Sequence, residues 1–255
     1  MASEFLVSNS SLYQGTNIAL SIKFNRFAER SMTARLSGKD VNREEMDKDW
    51  AMDDMMDGSA QNAISGSLPL VVEFISQLPN VNSFKTMGDI GGNHGLYTMG
   101  VLEQFPNMQG TIFDLPHVVE EAQKRVDKAG FTGRITTQSL DLRTAPLPTK
   151  QFDLIFTSHV LYAVKQDLPK ALANIANSLK PNGWFVSHHY AGRNTQGKER
   201  ITASIELLTR LCGYPAHFIE KEELTDTLAP LEFDNFQFQS VSQLGLGLIV
   251  AAQKK

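Results

Sequence analysis

Between residues 84 and 189 the chain alternates two kinds of segment, and no other feature narrows its fold so far. The first kind is a short apolar run: FKTMGDI (84–90), GTIFDL (110–115), RITTQSLD (134–141), FDLIFTS (152–158) and GWFVSHH (183–189). These runs have the length of strands. Most are apolar without clean alternation, as strands are when both faces of a parallel sheet are covered. The second kind carries helical signals. In DLPHVVEEAQKRVDKAG, Pro116 opens a helix, Val118, Val119, Ala122, Val126 and Ala129 form a stripe, and Gly130 stops it. In DLPKALANIANSLKPNG, Leu168, Leu172, Ile175 and Leu179 keep helical spacing until Pro181 and Gly183 end it. Strand alternating with helix predicts βαβ units and a doubly wound α/β sheet.

The two ends of the chain depart from this alternation. FDNFQFQSV (233–241) and GLGLIVAAQ (245–253) are strand-like runs joined by a very short connection. Such a connection permits a hairpin and excludes a parallel crossover, so the sheet is expected to end in an antiparallel pair. Residues 1–82 read as mainly helical. Within them TNIALSIKF is open to two readings: Ile18, Leu20, Ile22 and Phe24 alternate as in a strand, while Ile18, Ile22 and Phe27 also suit a helix. The strongly polar GKDVNREEMDKD (38–49) reads as a solvated linker or a helix start.

Composition excludes several classes. A chain of 255 residues is long enough for one large α/β domain or a domain with an appendage. A net charge of -4 argues against a nucleic-acid surface as its main business. A single cysteine, Cys212, forms no intrachain disulfide and suits a reducing compartment. There is no apolar run of membrane-spanning length, and MASEFLVSNSS lacks the basic start and apolar core of a signal peptide. The expectation is a cytoplasmic protein with no membrane partner.

GDIGGNHGLYT (88–98) packs four glycines around Asp89 at the end of the first strand run. Glycines let backbone approach a ligand closely, and a strand-to-helix turn exposes amide N–H groups. The second run ends in Asp114, about 20 residues on, where a carboxylate can accept from both hydroxyls of a ribose. Nicotinamide dinucleotides and S-adenosylmethionine both fit so far. Three features divide them. The pattern G-x-G-x-x-G does not thread through GGNHG, since its third glycine position falls on Leu96. The third run carries its own acid, Asp141, placed to read an adenine amino group. The terminal hairpin is not usual for the simplest dinucleotide fold. Asp89 sits where its carboxylate can face an ammonium or bridge loop amides.

DIGGNHG, FDLPHVVEEA, FDLIFTSHVLYAV and NSLKPNGWFV, taken in this order, resemble the class I S-adenosylmethionine-dependent methyltransferases. The closest likeness is to the small-molecule O-methyltransferases of plant and bacterial natural-product pathways, over roughly Trp50 to Lys255. The resemblance implies a Rossmann-like, seven-stranded, mostly parallel sheet with a C-terminal antiparallel hairpin. It implies a helical N-terminal segment or cap (1–82) and an S-adenosylmethionine-binding methyltransferase domain (83–255). Carried over by position, Asp89, Gly91, Gly92 and Gly95 form the cofactor loop and Asp114 holds the ribose. Leu115, Leu140 and Leu142 lie around the adenine, Asp141 reads its edge, and Ser158 sits near the methionine part. The implied reaction is methyl transfer to a small molecule, most readily at a hydroxyl oxygen. Transfer to sulfur, nitrogen or carbon is the nearest alternative. A non-catalytic S-adenosylmethionine-binding protein is a rival of a different class, and a nicotinamide oxidoreductase a third.

Two departures from the family pattern matter. Only about eighty residues precede the glycine loop, where the family typically carries a long winged-helix dimerisation domain. A homodimer through the Ile18–Phe27 stretch and a fold-back onto its own domain are therefore both open. The family's catalytic histidine, in an LHDW-like motif, is replaced by Tyr162 in LYAV. His159, three residues earlier and within a turn if a helix begins there, either takes over as base or only packs at the strand end. Tyr162 has an ordinary pKa of about 10, so it orients a substrate more readily than it removes a proton. His188 and His189 point to opposite faces of a continuing strand, so at most one faces the site. No metal is expected, because the strand ends lack the oxygen ligands a Mg²⁺ site needs. Arg193 clamps a substrate carboxylate or is solvated. Met52, Met55 and Met56, at helical spacing, form an adaptable wall over the substrate pocket or pack in the core. RITASIELLTRLCGYPAHF resembles the family's substrate-side wall, with Cys212 as a buried small hydrophobe.

Overall fold

Five apolar runs line up as parallel neighbours, as their lack of alternation predicts. The computed structural model describes residues 2–10, 12–39, 47–192, 196–241 and 246–255. Helices α1 (Ala2–Phe5), α2 (Gly15–Leu36), α3 (Asp53–Ser65) and α4 (Ser67–Ser76) come first. Then follow β1 (Thr86–Ile90), α5 (Leu96–Gln104), β2 (Gln109–Asp114), α6 (Pro116–Lys128), β3 (Ile135–Ser139) and β4 (Phe152–Ser158). A 3₁₀ turn (Leu161–Asp167) leads into α7 (Leu168–Ser178), β5 (Leu179–Tyr190), α8 (Glu199–Leu211), α9 (Lys221–Leu228), β6 (Phe233–Ser240) and β7 (Gly247–Lys254). The seven strands order as β3-β2-β1-β4-β5-β7-β6, with β7 antiparallel to both neighbours. The sheet thus ends in the antiparallel pair the short connection demanded.

Successive residues of each central strand serve opposite layers, because side chains alternate across a strand. Leu154 and Phe156 of β4 join Met87, Ile112, Trp184 and the N-terminal helix residues Val71, Phe74 and Ile75 in one core. Ile155 joins Phe113, Phe185 and the α7 stripe Leu168, Leu172 and Ile175 in the other. TNIALSIKF is helical, inside α2, with Leu20 and Phe27 buried and Ile18 and Ile22 exposed. Most of the polar stretch 38–49 lies outside the described residues.

Two helix ends differ from the sequence reading. Ala129 lies just past α6 and is exposed, so the buried stripe stops at Val126. Helix α7 ends at Ser178, before Pro181. Leu179 already pairs with Phe152 as the first residue of β5, and the register then shifts to Leu154 opposite Trp184. The bulge this makes lets Lys180 Nζ reach Asp153 Oδ1 at 3.0 Å. Leu179 is buried whether read as the last helical or first strand position, so hydrophobic spacing alone does not separate the two.

Leu172 is fully buried at the centre of the α7 stripe. Leu172→Ala is expected to lower unfolding stability by about 2–5 kcal/mol, read from the urea midpoint. A loss well under 1 kcal/mol would show that α7 is not part of the core.

Candidate active site

β1 and β4 lie side by side, but the chain leaves them for opposite edges of the sheet, so a crevice opens at their carboxyl ends. The GGNHG turn runs into it from β1. Gly91 has φ +71°, and a Cβ there would stand 2.7 Å from Val160 Cγ2, so only glycine lets the backbone pass this close to the exit of β4. A Cβ on Gly92 would stand 2.8 Å from the Asp89 carboxyl group. The turn is tied to β2. The Gly91 N–H donates to Phe113 O at 2.7 Å, and the Asn93 N–H donates to Asp114 Oδ2 at 2.9 Å. The Leu115 N–H donates to the other Asp114 oxygen at 2.7 Å. Each oxygen keeps a further lone pair for a ligand. Burial raises the Asp114 pKa to about 6 against the pull of these amides. Asp89 is buried beneath the loop, accepting from Thr98 Oγ1 at 2.6 Å, and burial raises its pKa to about 7.

Three cavities meet here. One of about 190 Å³ is walled by Asp114, Leu115, Leu140, Asp141, Leu142 and Ser158, among others. A polar one of about 100 Å³ lies over Asp89, Gly91 and Gly92, with Asn62, Ser67 and Tyr97. The third, about 320 Å³, is lined by rings of Phe24, Trp50, Tyr162, Tyr190, Tyr214 and His217, and no Asp, Glu, Lys or Arg lines it among the described residues. His159 and Ser59 border all three.

His159 reaches this junction by a local backbone departure. It leaves β4 with φ +50°, and its N–H donates to His188 O at 2.9 Å. Its ring packs edge-on against those of His188 and Tyr190, both at 4.5 Å between centroids. Burial, with further contributions from His188, His217 and His189, holds its pKa well below the ordinary histidine value. The imidazole is therefore neutral at pH 7. His188 stands behind it, sharing a hydrogen bond from Nδ1 with Ser158 Oγ at 2.9 Å, while His189 bonds Ser187 Oγ at 2.8 Å.

A family of O-methyltransferase domains matches residues 50–213, well over half of the chain. This chain belongs to that family. Relatives include the 3-hydroxy-5-methyl-1-naphthoate 3-O-methyltransferase of Streptomyces sahachiroi, 32% identical over 41% of this chain and 30% of the relative. The demethylspheroidene O-methyltransferase of Cereibacter sphaeroides is 32% identical over 46% of this chain and 31% of its own length. The matched stretch thus spans under a third of either relative. Among solved structures, human N-acetylserotonin methyltransferase in complex with SAM superposes with a TM-score of 0.74 at 19% identity, over 99% of this chain and 74% of the other, which establishes a shared fold.

In this O-methyltransferase-family chain, Asp89, Gly91, Gly92, Asp114, Leu115, Leu140, Asp141, Leu142 and Ser158 all line one or both of the first two cavities. Gly95 does not. It caps α5 with φ +75°, where a Cβ would press on Ile112 Cδ1 at 3.0 Å, so it answers to packing. Asp141 lines its cavity with both oxygens gripped by Arg143, through Nε and Nη2 at 2.8 Å. Arg143 Nη1 also donates to Asp47 Oδ2 at 2.8 Å, which brings Asp47 and Trp50 into the wall of that cavity.

Other expected site residues are placed away from the cavities, or meet only one of the two readings the sequence left open. Met55 and Met56 are buried in the core, Met56 against Val118 and Ala122, and none of Met52, Met55 and Met56 lines a cavity described above. The core face and a lid face of one helix carry the same spacing, so sequence does not separate them. His188 is one layer behind the cavities rather than in their walls. His159 does not share a helical turn with Tyr162, because the 3₁₀ turn begins at Leu161. Tyr162 lines the first and third cavities, and burial holds its phenol far above the usual tyrosine pKa, so the hydroxyl keeps its proton at pH 7. Arg193 lies outside the described residues. No group of three or more His, Cys, Asp or Glu is placed to hold a metal among the described residues. Sequence reasoning did not single out Trp50, Ser59, Asn62, Tyr190, Tyr214 or His217 by residue, although Ser59 and Asn62 sit on the helix expected over the pocket and Tyr214 and His217 in the stretch likened to the substrate-side wall.

Asp89 and Asp114 bind a proton more tightly folded than unfolded. Their contribution to ligand-free stability is complete below about pH 4 and is lost as pH rises through about 6 and 7. Asp89→Asn is therefore expected to flatten the fall in thermal midpoint between pH 5 and 8. Equal slopes for the variant and the parent would contradict the burial of this carboxyl group.

Proposed function

We propose that this chain transfers a methyl group from S-adenosylmethionine to an oxygen of a small molecule. The meeting of three cavities at His159 carries the reading. A displacement needs donor and acceptor aligned and water excluded, and a donor cavity that shares a wall with an aromatic acceptor cavity supplies both. S-adenosylmethionine supplies, when bound, a methyl group made electrophilic by its sulfonium.

The residues present fit that group. Gly91 and Gly92 form a cradle that any Cβ would fill, and Asn93 Oδ1 is buried beside it without a partner among the described residues. Asp114, fixed by two amides, would take the ribose hydroxyls, with Leu115, Leu140 and Leu142 around the adenine. Asp89 would face the ammonium across the polar cavity, and Ser158 lies beside it. The family match and the shared fold with a structure solved in complex with SAM support the same cofactor. His159 and Tyr162 would shape the transfer point, Tyr162 by donating a hydrogen bond to the acceptor. Rings without charged neighbours favour a flat, uncharged acceptor. On this reading residues 1–82 cap the domain formed by 83–255, since Leu20, Phe24 and Trp50 wall the acceptor cavity. No helix is long and apolar enough to cross a membrane among the described residues.

Calorimetric titration with S-adenosylmethionine and its demethylated product tests the reading. Saturable binding of both is expected, followed by methyl transfer to at least one member of a panel of phenols. Asp114→Ala is expected to weaken binding roughly tenfold to a hundredfold, the value of hydrogen bonds to a charged group. A folded protein that binds neither compound contradicts the proposal.

A second measurement probes Asp89. An ammonium arriving beside a carboxyl group with a pKa of about 7 drives it to ionise. Binding at pH 7 should release protons, seen as heats that differ between buffers of unlike ionisation enthalpy. Asp89→Asn should remove that difference. Buffer-independent heats in the parent would place the ammonium elsewhere.

A further inference from the structure

We infer that Nε2 of His217 is the atom that takes the proton of the acceptor's hydroxyl group. The inference rests on the methyl-transfer reading above and gives a proton-accepting role to one residue of the stretch that resembles the family's substrate-side wall, a role that no sequence motif assigns it.

The observation is a tautomer fixed by a hydrogen-bond count. In α8, Thr209 Oγ1 donates to Ile205 O at 2.8 Å. A hydroxyl has one hydrogen, so the second contact of Oγ1, with His217 Nδ1 at 2.9 Å, must be one in which Oγ1 accepts and Nδ1–H donates. A neutral imidazole with its hydrogen on Nδ1 leaves Nε2 as a bare lone pair. Nε2 is buried and has no hydrogen-bond partner among the described residues. A buried acceptor left unmatched is destabilising, and such groups recur where a ligand supplies the missing donor.

The surroundings suit that ligand. The His217 ring lies in the wall of the aromatic cavity and not of the other two. It stacks on Tyr162 at 4.5 Å and 16°, and stands 5.1 Å from the Tyr190 ring, which holds its plane. Its centroid is 6.1 Å from that of His159, so the two imidazoles are neighbours at the point where the cavities join. His159 borders the donor side as well. A proton acceptor must stand on the acceptor's side of the junction, and of the three cavities His217 lines the aromatic one alone. The groups facing it are Tyr162, Tyr190, His159 and Glu206. Burial lowers the His217 pKa to about 4, so the ring stands neutral with Nε2 open to a proton; Glu206, whose Oε1 accepts the His217 backbone N–H at 3.3 Å, offsets part of the burial cost of the imidazolium that proton transfer forms.

The step balances. The acceptor's O–H bond breaks and its proton passes to Nε2. The oxygen's electron pair forms the bond to the donor methyl, and the pair of the breaking C–S bond returns to sulfur. The imidazolium then yields its proton to water. Thr209 is a positioning residue, since it acts through the tautomer.

The test uses the whole chain labelled with ¹⁵N-histidine, free and with S-adenosylhomocysteine, with His217→Asn to assign the signals. The expected spectrum at pH 7 shows His217 protonated on Nδ1 alone, and Thr209→Val shifts it toward the other tautomer. A His217 protonated on Nε2, in a protein that binds S-adenosylhomocysteine, overturns the inference and leaves the methyl-transfer reading standing. A folded protein that binds neither the donor nor its product overturns both. With phenol, 4-chlorophenol and 4-nitrophenol as acceptors, His217→Asn is expected to lower kcat about a hundredfold or more for phenol. The loss should shrink for 4-nitrophenol, whose oxygen ionises without help, and binding of S-adenosylmethionine should stay unchanged. Equal losses for all three acceptors would mean a merely structural role and would overturn the inference.

Discussion

Two backbone amides of the loop after β1 donate into the end of β2, Gly91 to Phe113 O and Asn93 to Asp114 Oδ2. The rest of the site depends on that tie. It holds the glycine turn in a left-handed path that a side chain at Gly91 would block, and it aims the Asp114 carboxylate along the crevice. The strand order supplies the crevice itself, because β1 and β4 hand the chain to opposite edges of the sheet. Hydrogen bonds thus set the cofactor side of the site with little help from side-chain packing.

The acceptor side is built the other way, by packing. Phe24 and Trp50 come from the N-terminal segment, Tyr162 from the turn after β4, and Tyr214 and His217 from the loop after α8. Electrostatic ties draw these parts together over the first cavity. Arg143 grips Asp141 and Asp47, and Tyr214 Oη donates to Asp47 Oδ1 at 3.1 Å. Burial keeps His159 and His217 neutral at pH 7, so they enter the site as lone pairs and donors rather than as charges, and it keeps His188 neutral in the layer behind them.

The sheet was legible in the sequence because strands covered on both faces are apolar without alternation, as Leu154, Ile155 and Phe156 are in FDLIFTS. The cofactor side was legible because backbone geometry forces glycine at one position and a strand end fixes an acid at another. The acceptor side was largely not. His217 carries no motif, and its role emerges only from where Thr209 and Tyr162 fall in space. Met55 and Met56 show the converse: their spacing suited a lid, and the helix turned that face into the core. His159 was visible as a residue near the transfer point, but its left-handed backbone was not, since nothing in the preceding residues demands a positive φ there.

A crystal structure of the protein bound to S-adenosylhomocysteine tests the central claim most directly. The predicted result places the adenine between Leu115 and Leu140, the ribose hydroxyls on Asp114, and the sulfur at the junction bordered by Ser59 and His159, facing the aromatic cavity. A product bound with its sulfur away from that junction, or in another crevice of the sheet, would contradict the assignment of donor and acceptor cavities.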